Sequence, residues 1–325
     1  MKRHVALLLA ALTLPLTAQE PAKPAPADKP APAAKKPSPK NPPPAQANVR
    51  YGDHERQVFD FWKADTKDPA PLLFFIHGGG WQNGDKSGIA VAPYLKEGIS
   101  VVSINYRYVP QAKEAGVSPP VKAPLHDAAR ALQFVRSKAG EWNLDKERIV
   151  ASGGSAGACS SLWLAFHPDM ADPKSSDPVA RESTRLWGAG VNGAQTTLDP
   201  HQMREWTPNS RYGGHAFGFT GDKEKKISQF DEFHAKRDTI KEWIAEYSPY
   251  AHVSAGDPPV YLFYSAPPAL GKEEKDPTHT ANFGVKLQEH CKASGVKCEL
   301  QYPGAPDAPH ANTTAWIIAR LKAPK

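Results

Sequence analysis

The chain has 325 residues, 40 Lys and Arg against 34 Asp and Glu, 33 prolines, three cysteines and a formal net charge of +6. Residues 1–50 hold 8 basic and 2 acidic side chains, so the 32 basic and 32 acidic residues that follow cancel. The pI near 9.0 therefore reports the N-terminal segment, and a nucleic-acid partner, which needs a basic folded surface, is excluded.

Residues 1–19 place Lys2, Arg3 and His4 before an apolar run that ends in small residues, the layout of a secretory signal peptide. The run is broken by Thr13 and Pro15 and is too short to span a bilayer, so no membrane span is expected in the mature form. Residues 20–50 are Pro, Ala and Lys with no aromatic side chain, an extended linker. Residues 51–325 are expected to form one α/β domain, exported to the periplasm or the medium.

Within that domain apolar runs of β type alternate with helical patterns, which predicts a mostly parallel sheet flanked by helices. Strands are expected at 71–80, 99–110, 148–154, 186–195, 258–267 and 296–305, and helices at 126–142, 283–295 and the C-terminus. Residues 199–247 break the rhythm and read as a helical cap inserted over the carboxyl edge of the sheet. Cys159 lies on a helix as small core packing, while Cys291 and Cys298 flank a helix-to-strand connection where an exported protein could bridge them. No CxxC, HExxH or EF-loop spacing occurs, and no metal or cofactor is expected.

The chemistry concentrates at three places. Gly153-Gly154-Ser155-Ala156-Gly157 joins an apolar strand to a helix in the G-x-S-x-G pattern, a sharp turn that lifts a nucleophilic serine clear of the sheet. His77-Gly78-Gly79-Gly80-Trp81 follows another strand, and such a loop frees amides to face an oxyanion. A phosphate loop fails here, because Asp85 separates Gly84 from Lys86 and spoils the required spacing. A base and an acid must follow in the order Ser, Asp, His. His310, in the loop after the last strand, is the expected base, whereas His126 and His290 sit in helical patterns. The acid is expected in PALGKEEKDPTHT, where Asp276 is best placed beside Glu273 and Glu274, with Asp307 as a fallback three residues before His310.

Taken together, IHGGGWQNGDKS (76–87), INYRYVP (104–110), HDAARAL with NLDKERIVASGGSAG (126–157), YSPYAHV with PPV (247–260) and DPTHTANFGVKL followed by His310 resemble the α/β-hydrolase superfamily. The likeness is to its bacterial feruloyl-esterase-like (BD-FAE) branch, near the hormone-sensitive-lipase-like esterases, and covers the chain from about residue 55. It implies Ser155 as nucleophile, His310 as base, Asp276 as acid, and the amides of Gly79, Gly80 and Ala156 as oxyanion hole. It also implies an acetyl or feruloyl ester substrate, either a small molecule or a polysaccharide; Trp81 and the aromatics Trp206, Tyr212, Phe217 and Phe219 of the expected cap read either as a platform that stacks on a sugar or aromatic acyl group or as cap core. Two departures stand out: YSAPPALGKEEKD replaces the usual HG-x-x-D after the seventh strand, and Ala158 replaces a frequent glycine. A prolyl-oligopeptidase-type peptidase and a non-catalytic binding protein on the same scaffold are the competing readings.

Overall fold

A computed structural model describes residues 41–306 and 308–325. The signal-peptide expectation, most of the linker and the fallback acid Asp307 lie outside the described residues.

Eight strands form one sheet: β1 (Gln46–Arg50), β2 (Val58–Trp62), β3 (Ala70–Ile76), β4 (Ser100–Ile104), β5 (Leu144–Gly154), β6 (Gly188–Asn192), β7 (Val260–Phe263) and β8 (Cys298–Gln301). Their order is β1-β2-β4-β3-β5-β6-β7-β8, antiparallel across β1, β2 and β4 and parallel from β4 onward. This is the mostly parallel, helix-flanked sheet expected from the alternation of strand and helix patterns. Residues 46–50 correct the linker boundary at residue 50, since they pair with β2 as an edge strand. Their side chains are mostly exposed, so main-chain pairing rather than an apolar pattern makes the strand.

Helices cover both faces. Ahead of the sheet's centre come α1 (Ala92–Leu95), α2 (Val109–Glu114), α3 (Lys122–Ser137) and α4 (Ala139–Trp142), and α5 (Ala156–Phe166) follows β5 directly. Between β6 and β7 lie α6 (Pro200–Trp206), α7 (Gln229–Ala235), α8 (Lys241–Tyr247) and α9 (Pro249–His252), short helices where the cap insertion was expected. The chain closes with α10 (Asn282–Ala293), β8 and α11 (Thr313–Lys322). Among the described residues no helix is long and apolar enough to cross a membrane.

Strand β3 shows how the layers form. Leu72, Phe74 and Ile76 join the larger apolar cluster with α3 and α5, while Leu73 joins the opposite one with Tyr94, Trp316 and Ile317. The period of two thus buries both faces, as a central parallel strand requires. Every residue of α5 is buried. The parallel register pairs Ile76 with Ile104 and with Gly153, which sets the carboxyl ends of β3, β4 and β5 level. The glycine loop and the serine turn therefore emerge side by side, at the edge where open α/β sheets bind ligands.

Cys291 and Cys298 are free thiols, and the Cys298 thiol is pushed well above its ordinary pKa by its hydrogen bond to Cys291 and by burial. The Cys159 thiol is buried and inert.

Candidate active site

Ser155 stands between β5 and α5 with φ 53° and ψ −122°, a left-handed conformation that costs a non-glycine residue energy. The flanking glycines have a steric cause. A Cβ on Gly157 would come 2.1 Å from the Ile76 carbonyl oxygen, and one on Gly153 would come 2.4 Å from the same atom. Gly154 has no such constraint, since its nearest neighbour would be 3.9 Å away. The turn is held by the Ser155 amide, which donates to Asn192 O at 3.0 Å, and by Cys159 N donating to Ser155 O at 2.9 Å.

The loop after β3 wraps against this turn. Gly79 and Gly80 take φ 100° and 61°, and the Gly79 carbonyl turns away to accept from the amides of Gln82 and Asn83. Among the described residues the amides of Gly79, Gly80 and Ala156 donate to no protein acceptor, as befits a helix N-terminus and a glycine loop. His77 anchors the loop: it is stacked on Tyr106 at 4.2 Å, its Nδ1 donates to Gly78 O at 2.7 Å, and burial lowers its pKa to about 4. It is therefore a neutral structural imidazole. From the cap segment His215 Nε2 donates to Gly80 O at 2.9 Å, fixing the outer side of the loop.

The imidazole facing Ser155 belongs to His279. Its Nε2 is 3.0 Å from Ser155 Oγ and its Nδ1 is 2.8 Å from Asp276 Oδ2. This corrects the expectation of His310. The His310 Nδ1 instead meets Glu299 Oε2 at 2.9 Å, its amide donates to Glu299 Oε1 at 2.8 Å, and Tyr261 Oη donates to its carbonyl. A carboxylate projecting from β8 thus ties His310 at the last strand. The loop after β7 meanwhile carries both an acid and an imidazole three residues apart, close enough to pair locally.

Desolvation pushes the Asp276 carboxyl upward, but the hydrogen bond and charge of His279 and the amides of Thr278 and His279 together hold it below the usual carboxylate range. Of the competing acids, Glu274 accepts from Thr280 Oγ1 at 3.0 Å instead of meeting an imidazole, and Glu273 is exposed. The loop is anchored by the buried Asn282, whose Nδ2 donates to Trp206 O, Thr207 Oγ1 and Ala269 O while its Oδ1 accepts from Ala269 N. The acid loop and the cap segment are therefore built on one another. Sequence position alone passed over His279; its spacing of three from Asp276 was the available signal.

Trp81 is the second correction. It is fully buried, and its Nε1 donates to Ser160 Oγ at 3.0 Å. No face of its ring remains for a sugar. Trp206 and Phe217 of the cap are buried as well.

Residues 60–267 match the family model of BD-FAE. A probable carboxylic ester hydrolase of Mycobacterium tuberculosis, LipM, is 34% identical over 44% of this chain and 32% of its own length. Gut esterase 1 of Caenorhabditis briggsae is 32% identical over 39% of this chain and 24% of its own. The chain thus spans about a third or less of these curated relatives. Among solved structures, an acetyl ester-xyloside bifunctional hydrolase from Caldicellulosiruptor lactoaceticus superposes with TM-score 0.59 at 21% identity, covering 80% of this chain and 86% of that one. A truncated carbohydrate esterase from gut microbiota gives 0.61 at 17% identity, covering 86% and 96%. These structures share the fold, and with more than half its length matched by the family model, the chain belongs to the BD-FAE family of α/β-hydrolases.

Proposed function

We propose that the protein is an exported serine carboxylic-ester hydrolase that works through Ser155, His279 and Asp276. The observation that carries this reading is the continuous chain Ser155 Oγ, His279 Nε2, His279 Nδ1, Asp276 Oδ2, at 3.0 and 2.8 Å, beside the amides of Gly79, Gly80 and Ala156, which donate to no protein acceptor among the described residues. His279, with Nδ1–H donated to the Asp276 carboxylate, keeps a lone pair on Nε2. That atom takes the Ser155 proton as Oγ attacks the ester carbonyl. The amides of Gly79, Gly80 and Ala156 hold the tetrahedral oxyanion. Collapse expels the alcohol, which leaves with the proton from His279, and a water activated by the same imidazole then releases the acid and restores Ser155.

The substrate class proposed is a short acyl or feruloyl ester, above all one displayed on a polysaccharide. The His279 and Asp276 side chains keep 39% and 62% of their surface exposed, so the reacting centre opens to solvent and can meet an ester on a bulky alcohol. The basic, apolar N-terminus supports export toward such substrates. Hydrolysis of p-nitrophenyl acetate, methyl ferulate and acetylated xylan by wild type and Ser155→Ala tests the proposal. Turnover that disappears in the variant is expected; a folded wild type inert toward all three overturns it.

A further inference from the structure

At the far end of α5 from Ser155, three side chains from separate elements converge. His167 caps the C-terminus of α5, Glu246 lies on α8 and His252 ends α9, and one ligating atom from each lies within 4.8 Å of the others. We propose that His167, Glu246 and His252 form a binding site for a divalent transition-metal ion of the zinc type, which clamps the end of the cap segment to the nucleophile helix.

Proton placement carries the argument. His167 Nδ1 lies 2.8 Å from the Pro168 carbonyl, and His252 Nε2 lies 2.7 Å from the Glu246 carbonyl. A carbonyl only accepts, so each of these nitrogens carries its hydrogen. In the neutral rings His167 Nε2 and His252 Nδ1 are left with bare lone pairs. His167 Nε2 then faces Glu246 Oε1 at 3.4 Å, two acceptors with nothing between them unless a cation or an added proton is present. Zinc bonds of about 2.0–2.1 Å in tetrahedral geometry place ligand atoms about 3.3 Å apart, which this separation matches. Backbone carbonyls that fix the second ring nitrogen are also the usual support of a metal-bound histidine.

The surroundings favour a cation. The last carbonyls of α5 give its C-terminus negative character, and the carboxylate of Glu246 adds a full charge. Glu246 is itself held, since its carbonyl accepts from Trp163 Nε1 at 2.8 Å as well as from His252. Two imidazoles and one carboxylate suit zinc, cobalt or nickel rather than magnesium or calcium, and water completes the tetrahedron. The eleven residues of α5 put this site about 16 Å along the helix from Ser155. Its role is therefore to hold α8 and α9 in place.

Thermal unfolding of the tag-free full chain, stripped with a chelator and then titrated with ZnCl2, MgCl2 or CaCl2, tests the proposal. Zinc alone is expected to raise Tm by on the order of 5 °C at a hundredfold excess over Kd, with kcat at 25 °C unchanged. His167→Ala, His252→Ala and the conservative Glu246→Gln should each weaken the apparent affinity at least about tenfold. Cobalt bound to wild type should give a visible absorption band that zinc abolishes, a readout independent of the variants' own stability. His234→Ala serves as control, because the rings of His201 and His234 also lie 4.5 Å apart; it should leave the zinc response intact. A protein that shows neither the zinc shift nor the cobalt band overturns the site, as does a zinc response that survives all three substitutions or is lost in His234→Ala.

Discussion

The Nε2 of His279 stands 3.0 Å from the Oγ of Ser155 across 124 residues of chain, while the histidine expected there, His310, is paired with Glu299. One imidazole is therefore placed to move protons, and the other braces the end of β8.

Ser155→Ala and His279→Ala should each lower kcat on p-nitrophenyl acetate by about 10⁴-fold or more. Asp276→Asn should cost about 10²–10⁴-fold, because its loss frees the orientation and tautomer of His279. His310→Ala should stay within about tenfold of wild type. Steady-state kinetics on the four variants decide the matter: a collapse of activity in His310→Ala with His279→Ala nearly unaffected would reassign the base.

Two glycines flanking Ser155, Gly154 before it and Gly157 after it, should respond differently. Gly157→Ala drives a Cβ into the Ile76 carbonyl at 2.1 Å, so it should displace the turn, with a loss of several kcal/mol or of soluble protein. Gly154→Ala meets nothing nearer than 3.9 Å and should keep both Tm and kcat/KM close to wild type. Equal damage in both variants, measured by thermal unfolding and ester turnover, would sink the steric account of the elbow.

Trp81→Phe removes the indole donor to Ser160 inside the core. The expected result is a stability loss of about 1–3 kcal/mol in urea unfolding with KM for feruloyl esters unchanged. A large rise in KM at unchanged stability would restore Trp81 as a substrate platform.

His77 should make stability depend on pH. Burial depresses its folded pKa to about 4 from an ordinary 6.5, so below about pH 6.5 the unfolded chain binds a proton that the folded one refuses. Its contribution is present above pH 6.5 and falls away as the pH drops toward 4, by up to about 3 kcal/mol. Urea midpoints of wild type and His77→Gln between pH 7 and pH 4.5 should show the steeper decline in wild type. Parallel slopes would remove His77 from the account.

Asp276 acts in the same sense, at lower pH. Its folded carboxyl titrates below the usual range, so it favours the folded state above about pH 3.9 and that benefit is lost as the pH falls through the lowered value. It stays ionised through mild acid. Urea midpoints of wild type and Asp276→Asn should therefore keep a constant gap through mild acid and converge only below about pH 3.9.

The sequence by itself determined the α/β architecture, the serine turn and the glycine loop, because each is written in contiguous residues. Strand β3 is an unbroken apolar run, and the small residues around Ser155 stand together in the sequence, although the Ile76 carbonyl that requires Gly153 and Gly157 comes from the neighbouring strand. Asp276, singled out in the loop after β7, meets the His279 imidazole there, and short helices lie between β6 and β7. Only the tertiary structure decided which imidazole reaches Ser155. His279 follows β7 and His310 follows β8, and the choice fell to the paths of two loops and to Glu299, whose partner in space no pattern reveals. Trp81 went astray for the same reason: an aromatic beside a glycine loop reads as a platform, yet its ring turns inward to Ser160. The strand at 46–50 carries no apolar alternation and exists through main-chain pairing with β2. The convergence of His167 with Glu246 and His252 likewise joins residues distant in sequence, since it depends on α8 and α9 packing against the end of α5. Local geometry follows from neighbouring residues, whereas contacts between loops depend on the whole sheet having formed.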